Sequence, residues 1–221
     1  MNALNINDSE ESRDLDIAWL IQQLRRASTP IDALSLIQTL SARKTTVENT
    51  EEIIAAFIEI LSHHHPAVPA AAVEGLVKLA PHSVEPLIAA FRASADHGLQ
   101  AYIVQALAKI GDGRALDLLL EVVGVEVANH CQGNVRRVAA RGLGRIGSKS
   151  GDPEIIKGTI EKLTWALLKT EDWALRYAAA VSLQEIATLE AIASLQQALA
   201  QEQDGVVQVR IETALSNSPL S

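Results

Sequence analysis

Apolar residues recur along this chain at three- and four-residue spacings, the period of an amphipathic helix. The stretches Ala115-Leu-Asp-Leu-Leu-Leu-Glu-Val-Val123 and Ile192-Ala-Ser-Leu-Gln-Gln-Ala-Leu199 both carry that spacing. Polar breaks with glycine, such as Gly111-Asp-Gly113 and Gly147-Ser-Lys149, follow helical windows. Glycine there takes the left-handed conformation that closes a helix. The first helix is expected over Leu15–Arg26, and the polar, acidic stretch Met1–Asp14 as a flexible arm, leaving 15–221 as one domain. The apolar segment Ile53–Leu61 and the first helix are candidates for docking a partner subunit, with Trp19 and Trp165 as core or interface residues.

The helical windows repeat. Val73-Glu-Gly-Leu-Val-Lys-Leu-Ala80, Val104-Gln-Ala-Leu-Ala-Lys-Ile-Gly111, Ala140-Arg-Gly-Leu-Gly-Arg-Ile-Gly147 and Ala180-Val-Ser-Leu-Gln-Glu-Ile-Ala187 superpose, with a truncated copy at Glu212–Leu215. Their shared leucines, Leu76, Leu107, Leu143, Leu183 and Leu215, are separated by 31, 36, 40 and 32 residues. That period suits two-helix units. One helix pair cannot bury both its faces, so consecutive pairs must stack. The expected fold is all-α, a curved solenoid of about five to six helical pairs, with Ala and Gly where helices approach closely.

Within each copy an apolar residue and Arg precede Ala-Ala and then Gly/Ala-Leu-Gly-x-Ile-Gly. This pattern resembles the HEAT-like repeats of phycobilisome lyases. Val135-Arg-Arg-Val-Ala-Ala-Arg-Gly-Leu-Gly-Arg-Ile-Gly147 and Leu175-Arg-Tyr-Ala-Ala-Ala-Val-Ser-Leu183 carry it best. The copy starting at Leu99 has Tyr102 and Ile103 in place of the Arg neighbourhood, and Val207-Gln208 also lacks the Arg. The resemblance covers most of residues 60–215. Repeats of this kind also occur in scaffolds and hydroxylases.

One interval breaks the period: Gly124-Val-Glu-Val-Ala-Asn-His-Cys-Gln-Gly-Asn134, which holds the sole cysteine, Cys131, beside His130. From the residues alone two readings stand. One is a turn with an inert cysteine and a capping Asn134. The other is a reactive loop: a helix starting at Val135 favours thiolate through its dipole, Asn134 caps it, and Gly133 lets the backbone approach a ligand. The hexapeptide Asn129-His-Cys-Gln-Gly-Asn134 resembles the motif of F-type (beta) subunits of heterodimeric phycobilin lyases, and among them the phycoviolobilin-forming branch. The resemblance implies a lyase that, with an E-type partner subunit, attaches phycocyanobilin to a cysteine of a phycobiliprotein α subunit and isomerises it to phycoviolobilin. The linear tetrapyrrole is then substrate, and no prosthetic group is expected.

The resemblance also implies His130 and Cys131 as catalytic residues, with Asn129, Gln132, Gly133 and Asn134 as the rest of a bilin-binding loop. Thiol addition needs a proton delivered to the pyrrole system, and moving a double bond needs one removed and one returned. A histidine suits both steps, and Cys131 suits transient addition. Arg136, Arg137 and Arg141 offer guanidinium forks to the bilin propionates, or else hydrogen bonds to a preceding repeat. Asp172 offers an acceptor to pyrrole N–H groups, or a helix cap, while Trp173 and Tyr177 offer rings to stack on the pigment. Two alternatives remain open at this level: a non-isomerising phycocyanobilin lyase subunit, and a non-catalytic scaffold or bilin carrier.

Composition narrows the field. A formal net charge of −8 makes nucleic acid a poor partner. One cysteine cannot form an internal disulfide, and with no secretory or membrane segment visible a cytoplasmic location, in the cyanobacterial cytosol, is expected. His63-His-His-Pro66 reads as a solvated turn, because adjacent histidines on one element do not converge on a metal ion, and no metal is expected. Gly142-Leu-Gly144 lies inside a repeat helix and makes no phosphate loop.

Overall fold

A computed structural model describes residues 7–43, 46–124 and 130–217, which form twelve α-helices, one 3-10 turn and no strand. The chain divides into two compact units, Met1–Ala106 and Leu107–Ser221. The boundary between the units falls inside a helix, where no Gly/Pro-rich linker signals it.

The first unit holds α1 (Asn7–Arg26), α2 (Pro30–Ala42), α3 (Val47–Ile60), α4 (Ala67–Lys78), α5 (Val84–Ala93) and most of α6 (His97–Ile110). Helix α1 begins at Asn7, so residues 7–14 of the expected arm are helical. Thr29 caps α2, its hydroxyl accepting from the Asp32 N–H at 3.2 Å, with Pro30 at the first helical position. Ile17, Leu20, Ile21 and Leu24 make the apolar stripe of α1, and it is buried together with Ile37 and Leu40 of α2. Ile53, Ile54, Phe57 and Leu61 are buried in the same core. Their apolar spacing packs α3 on α1, α4 and α5, while Ala55 is exposed and Ile58 half-buried, so part of the segment read as a partner-docking surface stays at the surface. In the following turn the His63 and His64 rings stack at 4.3 Å and His63 Nδ1 accepts from the His65 N–H at 3.0 Å.

The second unit follows the C-terminal end of α6 with a 3-10 turn (Gly113–Ala115), α7 (Leu116–Gly124), α8 (His130–Lys149), α9 (Pro153–Lys169), α10 (Trp173–Ile186), α11 (Leu189–Leu199) and α12 (Gly205–Ser216). Gly111, at φ 67°, ends α6 as its glycine implied. Asp152, Thr188 and Asp204 cap α9, α11 and α12 through their side-chain oxygens.

Helix α8 is the centre of this unit, packed on α7, α9 and α10. The small residues of the repeat are its crossing points. A Cβ on Gly142 would lie 2.8 Å from Ala108 Cα, and one on Gly144 would lie 2.5 Å from Ser182 Cβ. Ser182 fastens the second crossing: its hydroxyl donates to the Ala140 carbonyl at 2.9 Å and accepts from Arg141 Nη1 at 2.8 Å.

In four of the copies the second position has the same task, whereas the copy ending at Leu76 has Pro69 there. Arg136 Nε donates to the Val123 carbonyl at 2.9 Å, and Arg176 Nη1 to the Thr170 and Glu171 carbonyls at 3.1 and 2.9 Å. Gln100 Nε2 donates to the Ser94 carbonyl at 2.7 Å, and Gln208 Nε2 to that of Glu202. Glutamine thus replaces arginine in the two copies that depart from the pattern, since one amide donor suffices to tie a helix start to the chain before it. Arg145 Nη1 does related work at the end of α6, donating to the Ala108 and Lys109 carbonyls, each at 3.0 Å.

Candidate functional site

The irregular interval is shorter than its sequence suggested. Helix α7 ends at Gly124 and α8 already begins at His130. Asn134 is therefore an exposed residue in the second turn of α8 and not its cap, and Gly133 is a buried helical residue and not part of a loop. Gly and Asn are weak helix formers, but packing of the long α8 on three neighbours outweighs a cost of about 1 kcal/mol or less per residue. Asn129 lies outside the described residues. His130, Cys131 and Gln132 stand in the first turn of α8, so the thiol belongs to a helix N-terminus, five residues nearer the chain start than Val135.

By helical period Asn134, Arg137 and Arg141 occupy one stripe of α8, at i, i+3 and i+7. Asp172, at the start of α10, meets that stripe. Arg137 Nε donates to Asp172 Oδ2 at 3.1 Å, and Nη2 to Oδ1 and Oδ2 at 3.0 and 3.1 Å. Asp172 also caps α10, accepting from the Ala174 N–H at 3.0 Å. Two residues singled out for the pigment are thus brought together, and each occupies the other. Arg141 is engaged beside them, with Nη2 on Glu185 at 2.9 Å in addition to its bond to Ser182.

Trp173 and Tyr177 follow Asp172 one turn apart on α10 and are 51% and 37% exposed. Rings of that size left in water, on a face that carries a polar clamp, form a ready stacking surface. The Arg137–Asp172 contact thus joins α8 to α10, with Asn134 one turn before Arg137 and Trp173 and Tyr177 following Asp172 in sequence.

A second group, Arg136, Lys162 and Trp165, lies near the start of α8, and of its members only Lys162 was not singled out from the residues. Arg136 is 8% exposed and uses Nε alone; among the described residues its two Nη groups meet no acceptor. Lys162, on α9, holds its ammonium 4.7 Å over the Trp165 ring, and a Cβ on Gly124 would lie 2.6 Å from Nζ. Burial, and then the neighbouring Arg136, hold the Lys162 ammonium below the usual lysine range. Burial likewise lowers Arg136, opposed by Asp172. The only local signal for Lys162 is its i, i+3 spacing to Trp165.

Among the described residues no set of three or more His, Cys, Asp or Glu side chains is placed to hold a metal ion, and no helix is long and apolar enough to cross a membrane.

Residues 125–216 match the family described as HEAT repeats, and residues 99–124 match the PBS lyase HEAT-like repeat. The chain is 58% identical over 202 residues to the bilin biosynthesis protein PecF of Mastigocladus laminosus, covering 90% of this chain and 94% of that one. It is 62% identical over 165 residues to PecF of Nostoc sp. PCC 7120, covering 75% of this chain and 95% of the relative. A phycocyanobilin lyase subunit beta of Thermosynechococcus vestitus is 33% identical over 86% of this chain and 95% of its own length. Among solved structures, the complex of CpcE and CpcF of phycocyanin lyase from Nostoc sp. PCC7120 superposes with a TM-score of 0.63 and 29% identity, covering 73% of this chain and 96% of that chain.

Proposed function

Because the chain belongs to the family of PecF-type bilin biosynthesis proteins and phycocyanobilin lyase beta subunits, we propose that it is the F-type subunit of a heterodimeric bilin lyase. With an E-type partner it attaches phycocyanobilin to a cysteine of a phycobiliprotein α subunit and isomerises the pigment to phycoviolobilin. Identity of 58–62% to PecF chains over most of the length is the observation that carries this reading. The superposition on a CpcE–CpcF complex supports the two-subunit assembly. The pigment is substrate, the protein carries no prosthetic group, and the enzyme works in the cytoplasm beside the phycobilisome.

The chemistry needs no oxidant. In attachment the acceptor thiol forms a C–S bond at the ethylidene carbon and a proton passes to the pyrrole system. In isomerisation one proton leaves a carbon and one returns to another. His130 carries these protons, since an imidazole can both donate and accept one. Cys131, in the first turn of α8 where the helix dipole favours a thiolate, adds transiently to the pigment and leaves again. Trp173 and Tyr177 flank the pyrrole rings, and Asn134 with the Arg137–Asp172 clamp borders them.

Co-expression of the chain with an E-type subunit, an α-subunit acceptor and a phycocyanobilin source tests the reading. A covalent adduct with phycoviolobilin absorption, dependent on both subunits, is expected. An adduct with phycocyanobilin absorption would leave a lyase without isomerisation, as in the phycocyanobilin lyase relatives, and no subunit-dependent adduct would leave a scaffold or carrier. Cys131→Ser is expected to attach the pigment but leave it unisomerised. Fully isomerised product from that variant excludes transient addition.

A further inference from the structure

Among the described residues the cations at the α7–α8 junction exceed the negative charge available to them. The C-terminal carbonyls of α7, represented here by Val123, offer about half an elementary charge. Asp172 is committed to Arg137 and to the cap of α10. Arg136 and Lys162 are left with no carboxylate among the described residues. Arg136 is more than nine-tenths buried, and its Nη groups meet no acceptor among the described residues. Two cations held side by side under partial burial repel, and an anion between them relieves both costs. The place is bounded by the indole of Trp165, which is 39% exposed and fixes the Lys162 ammonium from one side. From Gly124, beside Lys162, residues 125–129 lead directly to His130.

We propose that Arg136 and Lys162 form a carboxylate-binding site that takes one propionate of the linear tetrapyrrole, with Trp165 as its apolar wall. This rests on the bilin reading above and adds residues that reading did not use. A guanidinium and an ammonium converging on one carboxylate make charge-assisted hydrogen bonds that a neutral ester cannot replace. The site therefore fixes which end of the pigment lies at the start of α8, and with it the distance between the reacting carbon and His130.

The test uses the complex of this chain with its E-type subunit and two probes, phycocyanobilin and its dimethyl ester, titrated by absorbance. The free acid is expected to bind about tenfold tighter than the ester, the scale of one charge-assisted contact. Lys162→Gln removes most of that preference by weakening the acid and leaving the ester unchanged, while Lys162→Arg retains it. A purely structural role for Lys162, covering Trp165 and the end of α7, would alter acid and ester alike. Equal loss for both probes, or an unaltered preference in Lys162→Gln, overturns this proposal and leaves the lyase reading standing. Binding of neither probe by the parent complex overturns the bilin reading, and this site with it.

Discussion

Glu202 and Arg176 show at single-residue scale how the repeats are tied together. Glu202 accepts from Arg176 Nε and Nη2 at 2.8 and 3.0 Å, and its side chain is almost fully buried. Burial alone would raise its pKa, but hydrogen bonds from Arg176 and from the Asp204 and Gln203 N–H groups hold it below the usual glutamate value of 4.5. A carboxylate depressed on folding contributes stability that is complete above the unfolded value and lost as the pH falls through the folded one. Glu202→Gln is therefore expected to be less stable than the parent at neutral pH, with the difference shrinking once the pH drops below about 4.5. Urea unfolding across that range checks it, and a constant difference would show that the pair contributes nothing through charge. Ala187 supplies a second case. It ends α10 at φ 55°, where a Cβ is strained and glycine is not. Ala187→Gly should raise stability by about 0.5–1 kcal/mol, or roughly 2–4 °C in Tm.

Among the helices, close approach decides more than propensity does. Gly144 and Gly158 are both helical glycines, yet a Cβ on Gly144 would meet Ser182 Cβ at 2.5 Å while one on Gly158 meets nothing within 4 Å. Gly144→Ala is expected to cost about 1–3 kcal/mol by forcing α8 from α10. Gly158→Ala should instead stabilise α9 by about 0.5–1 kcal/mol. Thermal unfolding of the two variants, moving in opposite directions, tests whether the Gly-Leu-Gly motif is a crossing point. The same physics explains which elements could be read in advance. The Ala/Gly stripes and shared leucines are local marks of helix contact, so the repeats, the caps at Asp172 and the break at Gly111 were legible. The start of α8 was not, because Gly133 and Asn134 obey turn rules until neighbouring helices override them. The Arg137–Asp172 pair spans 35 residues, a distance no local pattern encodes. Lys162 reads as any lysine on a helix face, and only the packing of α9 on α8 brings the cation of Arg136 near it.

Across the whole molecule the three indoles are kept out of the interior. The core is built from Leu, Ile, Val and Ala with Phe57, while Trp19, Trp165 and Trp173 are 56%, 39% and 51% exposed. A stacked-helix core needs small and aliphatic side chains for close crossings. Indoles left on the surface of a chain with 3% aromatics are thus available for contact with a ligand or a second subunit. Two of them, Trp165 and Trp173, belong to the second unit and border the two groups at the start of α8, whereas Trp19 belongs to the first unit. This arrangement predicts a fluorescence pattern. Emission of the free chain should lie near that of the denatured chain, since all three indoles already meet water. In a Trp19→Phe chain, emission comes from Trp165 and Trp173, and adding phycocyanobilin in the presence of the E-type subunit should quench it strongly. A Trp165→Phe/Trp173→Phe chain, reporting through Trp19 alone, should lose a smaller fraction of its signal on the same addition. Equal quenching of the two chains would detach the pigment from the α8–α10 surface and from the α7–α8 junction together. Strong quenching confined to Trp19 would place the pigment against the first unit.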